Sequence, residues 1–301
     1  MEKTLFILSS QAGSSEFSFS KEDIYKVYKK NGLEKNIEIV KTSHQNHAIE
    51  AAQAFIKKDY DKKSIIVCGG DGSLNEVAGA IYPSDTALGL IPMGTGNDFS
   101  KNLDYKNFTL EKTLKRTIAP IDLIEVNGKI CVNVTSLGFD TEVLSNAYYF
   151  LDKKPSLGKK AYIKSVIYSL KNIDYENLKI KLETSKGKTI HLKGEYLLLA
   201  LCNGGYYGSG FNPAPMAKID DGILNLVLAK KISLIRLLPL ILKYRKGKLE
   251  NSPYLDHFQI KSGTIKSQKP FKANIDGEIF TSKEINFNIL PQALNWMYFE
   301  D

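Results

Sequence analysis

At 301 residues the chain is longer than one hydrophobic core usually grows, so two domains are expected, with one large domain as the alternative. Hydrophobic residues at 43% and charged residues at 25% are ordinary for a globular protein and exclude long disorder. No run reaches the roughly eighteen apolar residues that span a bilayer, and Met1-Glu2-Lys3 enters a strand-like segment without a signal-peptide layout, so a cytoplasmic protein is expected. The formal net charge of +8 favours an anionic partner, whether nucleotide, nucleic acid or acidic membrane surface, without choosing among them.

The first third alternates short apolar runs with helical patterns. Strands are predicted at Thr4 to Leu8, Ile37 to Val40, Ile65 to Cys68 and Ala87 to Ile91. Helices are predicted at Lys21 to Lys30, His47 to Lys57, Leu74 to Ile81 and Phe108 to Thr117, the last punctuated by Pro120. That rhythm gives βαβ units around a parallel sheet. Beyond about Ile121 the texture becomes that of an antiparallel β domain, with strands at Lys129 to Val134, Leu178 to Glu183, Thr189 to Leu192, Tyr196 to Leu201 and Leu224 to Ala229. Helical insertions fall at Leu157 to Leu170 and Leu234 to Lys243. The segment from Ile285 reads as a return to the first domain, giving domains of 1–121 with 285–301, and 122–284. Cys68, Cys131 and Cys202 are odd in number, far apart and set among apolar residues, which reads as reduced core thiols rather than disulfides or a metal site.

The sharpest local feature is Cys68-Gly69-Gly70-Asp71-Gly72-Ser73-Leu74-Asn75-Glu76, a buried strand passing through three glycines into a helix. Glycines let an oxyanion approach the main chain, and the amides and dipole of the helix start favour negative charge. Asp71 would repel phosphate unless it holds Mg²⁺ directly or through water. The plain alternative is a glycine-rich turn with an ordinary capping residue. Neither the Gly-x-x-x-x-Gly-Lys-Ser/Thr loop nor a Gly-x-Gly-x-x-Gly opening a helix after the first strand is present.

A second loop, Pro92-Met93-Gly94-Thr95-Gly96-Asn97-Asp98-Phe99, follows the next strand, and loops at the carboxyl ends of neighbouring parallel strands face one crevice. Thr95 offers a hydroxyl to phosphate or ribose; Asn97 and Asp98 suit a helix cap as well as a ligand. The third constellation, Asn274-Ile275-Asp276-Gly277-Glu278, places two carboxylates around a glycine, though Asp-Gly is foremost a hairpin signal.

Together these three motifs and Asp221-Gly222-Ile223-Leu224, in order and spacing, resemble the diacylglycerol kinase catalytic-domain family, in particular the bacterial diacylglycerol and related lipid kinases, with sphingosine and ceramide kinases more distant. The resemblance covers nearly the whole chain. It implies an α/β domain with a parallel sheet that binds nucleotide, followed by a C-terminal antiparallel β-sandwich domain carrying the lipid site, with ATP and Mg²⁺ as cofactors. ATP would be cradled by Gly69, Gly70, Asp71, Gly72, Ser73, Asn75, Gly94, Thr95 and Asn97, together with Ser10 and Thr42, which match nucleotide-touching positions. The first loop, Ser9-Ser10-Gln11-Ala12-Gly13, departs from the usual Asn-Pro-x-Ser/Ala-Gly, and Ser73 replaces the more frequent Thr.

By the same resemblance, Asp71 and Asp98 organise Mg²⁺ and water, and either Asp276 or Glu278 is the base that takes the proton of the lipid hydroxyl. A second, structural Mg²⁺ is implied at Asp221 with the main-chain oxygens of Lys218 and Ile223. His44 and His47 read as polar residues of a helix start. Diacylglycerol is the leading acceptor; another lipid alcohol or NAD is the alternative, and a basic nucleic-acid-binding protein the non-enzymatic one, which the acidic loop residues oppose. Such a kinase meets anionic lipid transiently at a membrane surface and in this family commonly dimerises. The segment Ile232 to Lys248, an apolar run ending in cations, reads as either a docking element or a core-packing helix, with Lys153-Lys154 through Lys159-Lys160 as a second basic stretch.

Overall fold

The first third of the chain forms β1 (Glu2–Leu8), α1 (Lys21–Lys30), β2 (Ile37–Lys41), α2 (His47–Ile56), β3 (Lys62–Gly69), α3 (Asp71–Ile81) and β4 (Ala87–Pro92). The structure, a computed structural model, describes residues 2–10, 17–158, 160–248 and 252–299. β1 pairs in parallel with β2 and β3, and β3 in parallel with β4. Leu5 to Leu8, Ile65 to Cys68 and Leu88 to Ile91 are buried almost without interruption. Helices covering both faces of a parallel sheet produce that pattern, which is why these strands read as unbroken apolar runs. α1 is fixed at its start by a Ser20/Asp23 capping box and buries Ile24 and Tyr28.

Phe108 to Thr117 does not form the expected helix. Only a 3₁₀ turn forms at Leu110–Leu114, and Arg116 already begins β5 (Arg116–Val126). Thr113 turns its hydroxyl back to the Leu110 carbonyl, and a residue before proline is steered out of the helical region, so Ala119-Pro120 continues as strand. Pro120 therefore lies inside β5, at an exposed position, rather than marking a helix end.

The remaining elements are β6 (Lys129–Cys131), β7 (Val134–Gly138), α4 (Phe139–Lys153), α5 (Lys160–Lys171), β8 (Glu176–Thr184), β9 (Thr189–Cys202), β10 (Leu224–Lys230), α6 (Leu234–Arg245), β11 (Leu255–Ile275) and β12 (Glu278–Phe299). Three readings need correction: Lys129 to Val134 is two strands broken at Val132-Asn133, Thr189 to Leu201 is one strand, and the insertion before β8 holds two helices rather than one. β11 and β12 run for 21 and 22 residues.

The chain divides into two units: Met1–Leu123 with Ile219–Asp221 and Leu290–Asp301, and Ile124–Lys218 with Gly222–Ile289. The carboxyl-terminal segment is thus divided, with 285–289 in the second unit. Within the first unit the end of β12 lies parallel to β4, pairing Trp296 with Leu88. Gly89 admits this strand: a Cβ there would come within 2.9 Å of the Phe299 ring.

In the second unit β7, β8 and β10 each pair antiparallel with β9 and β11, as do β5 with β6 and β11 with β12. β8 alternates strictly, burying Leu178, Ile180 and Leu182. β9 shows why alternation fails elsewhere. Leu199 and Leu201 enter one core with Leu226, Ile260 and Phe271, while Leu198, Ala200 and Cys202 enter a second core with Val227 and with Leu237, Leu240 and Tyr244 of α6. All three cysteines are free and buried.

Candidate active site

In the first unit the loops leaving β1, β2, β3 and β4 are knitted together. The Ser9 N–H donates to the Cys68 carbonyl at 3.0 Å, Thr42 N–H to Leu8 at 2.9 Å and Met93 N–H to Gly69 at 2.9 Å. Ser10 N–H donates to the Thr42 hydroxyl at 2.9 Å. Ser10, Thr42, the Gly69 to Asn75 turn and the Gly94 to Asp98 loop therefore share one edge of the parallel sheet. Gln11, Ala12 and Gly13 lie outside the described residues.

Each glycine here has its own reason. A Cβ on Gly94 would stand 2.4 Å from the Gly70 Cα, so the two main chains touch and neither position accepts a side chain without movement. At Gly72 a Cβ would meet nothing within 4 Å. The protein's own packing does not require that glycine; the open space beside it is on the exposed side of the α3 start, where Gly70 is the N-cap and no side chain caps the helix.

Asp71, the first residue of α3, has its two carboxylate oxygens engaged by the N–H groups of Asp98 and Phe99, both at 2.9 Å. Burial, and then the nearby Asp98 charge, raise its carboxyl above the ordinary range against the lowering effect of those amides and Lys101. Asp98 is buried and ion-paired with Lys101, whose ammonium also donates to the Gly96 carbonyl at 2.9 Å. Asn97 sits at φ +48 with its side chain turned onto its own loop, accepting from Gly94 N–H and donating to the Pro92 and Gly94 carbonyls. Its first role is to hold the loop's shape. Thr95 is exposed, Ser73 half-buried and Asn75 buried on α3. His44 stacks on His47, which accepts from Ser43 N–H at the α2 start.

In the second unit, Asp276 (φ +46) and Gly277 (φ +96) form the two-residue turn between β11 and β12, closed by the Ile275/Glu278 pair. Both positive φ angles identify the hairpin turn that Asp-Gly favours. The Asp276 carboxylate accepts from the N–H groups of Val132 (2.6 Å), Asn133 (3.1 Å) and Val134 (2.9 Å). Turning these amides toward one carboxylate is what separates β6 from β7. Burial nevertheless pushes this carboxyl up to about 6. Glu278, by contrast, is exposed. Tyr148 of α4 donates to the Gly277 carbonyl at 3.0 Å, and its phenol is raised by burial and then by the Glu278 charge.

Asp221 and Lys218 are exposed and Ile223 half-buried. Two further buried acids escaped the sequence reading. Asp122 is fully buried and accepts from Gln292 N–H at 2.8 Å, while its own N–H donates to the Ile219 carbonyl at 2.6 Å. Asp140, at the α4 start, accepts from Thr141 N–H at 2.7 Å, and burial pushes its carboxyl up to about 6. An Asp in an apolar run was the available signal for Asp122; nothing in the sequence near Asp140 points to its burial. A cavity of about 290 Å³ in the first unit is lined by residues such as Tyr105, Trp296 and Phe299 and by none of the glycine-loop residues.

Residues 3–126 match the diacylglycerol kinase catalytic domain, and residues 133–298 the YegS C-terminal NAD kinase beta sandwich-like domain. The fold and these matches define a lipid kinase. The chain belongs to the YegS-like lipid kinase family. It is 31% identical over 276 residues to a probable YegS-like lipid kinase of Citrobacter koseri, covering 87% of this chain and 86% of that protein. It is 29% identical over 241 residues to one of Shewanella frigidimarina, covering 77% and 75%. Among solved structures, a putative diacylglycerol kinase from Bacillus anthracis superposes with a TM-score of 0.76 at 25% identity, covering 99% of this chain and 97% of that one.

Proposed function

We propose that this lipid kinase transfers the γ-phosphoryl group of ATP, with Mg²⁺, to the hydroxyl of diacylglycerol, giving phosphatidic acid. The observation that carries the nucleotide half is the start of α3: a helix N-terminus without a side-chain cap, with Gly72 in its first turn, where a Cβ would meet only open space. With the Asp71 carboxylate engaged by the amides of the second loop, the α3 amides face phosphate without a competing anion among them.

The donors present suit Mg²⁺. Asp71 and Asp98 are hard oxygen ligands, and each Asp71 oxygen accepts one N–H, which leaves a lone pair for a metal-bound water. When bound, Mg²⁺ neutralises charge on the phosphates.

The two acids of the β11–β12 turn differ in what they are free to do. Asp276 is enclosed by three amides, so its role in this reading is to position the turn. Glu278, exposed on the next residue but one, accepts the proton of the attacking hydroxyl. The diacylglycerol assignment rests on the description of the matching family model and on the titles of the similar solved structures. A competition assay tests it, with radiolabelled ATP and a mixture of diacylglycerol, a sphingoid base, a ceramide and NAD. Label is expected chiefly in phosphatidic acid. Label chiefly in another acceptor overturns the assignment.

A further inference from the structure

α6 is apolar on two opposite faces. Leu237, Leu240 and Tyr244 pack into the core beneath β9 and β10. On the outer side Ile235 is 86% exposed, Leu238 54% and Leu242 64%. These three stand one and two turns apart, in a single stripe along the helix. A surface helix ordinarily turns charged residues to water opposite its core face. Pro239, exposed within the same helix, adds to the outer apolar side.

The charge around this stripe has one sign. From Lys230 to Lys248 the chain has seven Lys and Arg and no Asp or Glu. Lys230 and Lys231 are paired with Asp256 and Glu195, and Arg236 donates to the Tyr254 hydroxyl at 2.5 Å. Arg245 lies over the Phe211 ring, 5.8 Å from its centre, and is exposed together with Lys243, Lys246 and Lys248 at the carboxyl end of the helix. No carboxylate pairs with Lys243, Arg245, Lys246 or Lys248 among the described residues.

We propose that α6 is a membrane-docking helix lying along an anionic bilayer surface. Ile235, Leu238 and Leu242 enter the boundary between headgroups and acyl chains, and Lys243, Arg245, Lys246 and Lys248 meet the lipid phosphates. Charge selects this occupant. A second copy seated on the stripe would bring two uncompensated basic clusters together, and a nucleic acid would gain nothing from three aliphatic side chains that cannot stack on bases. Removing an exposed Leu or Ile from water favours partition by about tenfold or more, and each Lys or Arg near an anionic surface adds about fivefold. The combination is that of an interfacial helix.

The inference extends the lipid-kinase reading to how the protein meets its acceptor, but its test uses neither ATP nor acceptor. A protein that docks through α6 and phosphorylates nothing would therefore retain this inference and lose that reading. The full chain is sedimented with vesicles of phosphatidylcholine alone and of phosphatidylcholine with phosphatidylglycerol. Binding is expected only to the anionic vesicles, weakened about 100-fold by Ile235→Ser with Leu242→Ser, with the thermal melt unchanged because both side chains are exposed. As an independent reporter, Leu242→Trp adds an indole to a chain whose single Trp, Trp296, is fully buried. Its emission is expected to shift blue with anionic vesicles and to be quenched by brominated acyl chains. The proposal is overturned by equal binding of the double variant, by an unquenched indole, or by a concentration-dependent dimer that the double variant dissolves.

Discussion

Gly94 and Gly70 touch through their main chains: a Cβ on Gly94 would lie 2.4 Å from the Gly70 Cα. Backbone cannot swing aside as a flexible side chain can. Gly94→Ala is therefore expected to destabilise the first unit by about 1–3 kcal/mol, the range of an overpacked core. Gly72→Ala is its counterpart, since the added methyl meets only open space. It is expected to leave the melting temperature unchanged while raising the KM for ATP at least about tenfold, the cost of about 1.4 kcal/mol of lost binding. Thermal melts and initial rates at varied ATP check both.

The β11–β12 turn gives a pair of substitutions with opposite signatures. Glu278→Gln is expected to lower kcat by about 10²-fold or more with an unchanged melt, as for a lost general base. Asp276→Asn replaces a carboxylate oxygen, which accepts from main-chain N–H groups, by an amide nitrogen that cannot accept. It is expected to lower stability by about 1–3 kcal/mol, the cost of leaving buried amides unmatched. Calorimetry of the two variants beside their turnover numbers separates the roles; an Asp276→Asn protein with wild-type stability would contradict the positioning role.

Asp140 supplies a pH signature. Its carboxyl is raised by burial from an ordinary value of 3.8 to about 6, so the folded protein holds that proton more tightly than the unfolded chain does. The stability it contributes is complete below pH 3.8 and is lost as pH rises through about 6. Asp140→Asn removes this dependence while keeping an oxygen to accept from Thr141 N–H. The stability of the variant relative to wild type is expected to rise with pH across that window, by on the order of 2–3 kcal/mol. Denaturant unfolding from pH 4 to 7 measures it, and a difference independent of pH would contradict the assignment.

The parallel sheet was legible because β1, β3 and β4 are unbroken buried runs and because β1, β2 and β3 are each followed by a helix, so burial and sequence carry the same pattern. The glycine loops were legible because their backbone demands leave few residue choices. What the sequence did not disclose lies in long-range contacts. The break between β6 and β7 depends on Asp276, more than 140 residues away. Read locally, Asp276 and Glu278 are equivalent acids; only the amides of Val132, Asn133 and Val134 distinguish them. Phe108 to Thr117 carried helical spacing, but Pro120 and the Thr113 hydroxyl favoured a strand. In β9, alternate residues enter two different cores, which removes the alternation by which a strand is recognised.

The account is tested most directly by the mass of the lipid itself. Purified protein is incubated with ATP, Mg²⁺ and a single diacylglycerol in mixed micelles, and the extracted lipid is weighed by mass spectrometry beside a Glu278→Gln control. The expected result is a product heavier by one phosphoryl group, matching phosphatidic acid and at least about 10²-fold scarcer in the control. Unmodified diacylglycerol in the presence of a folded, ATP-binding protein would contradict it.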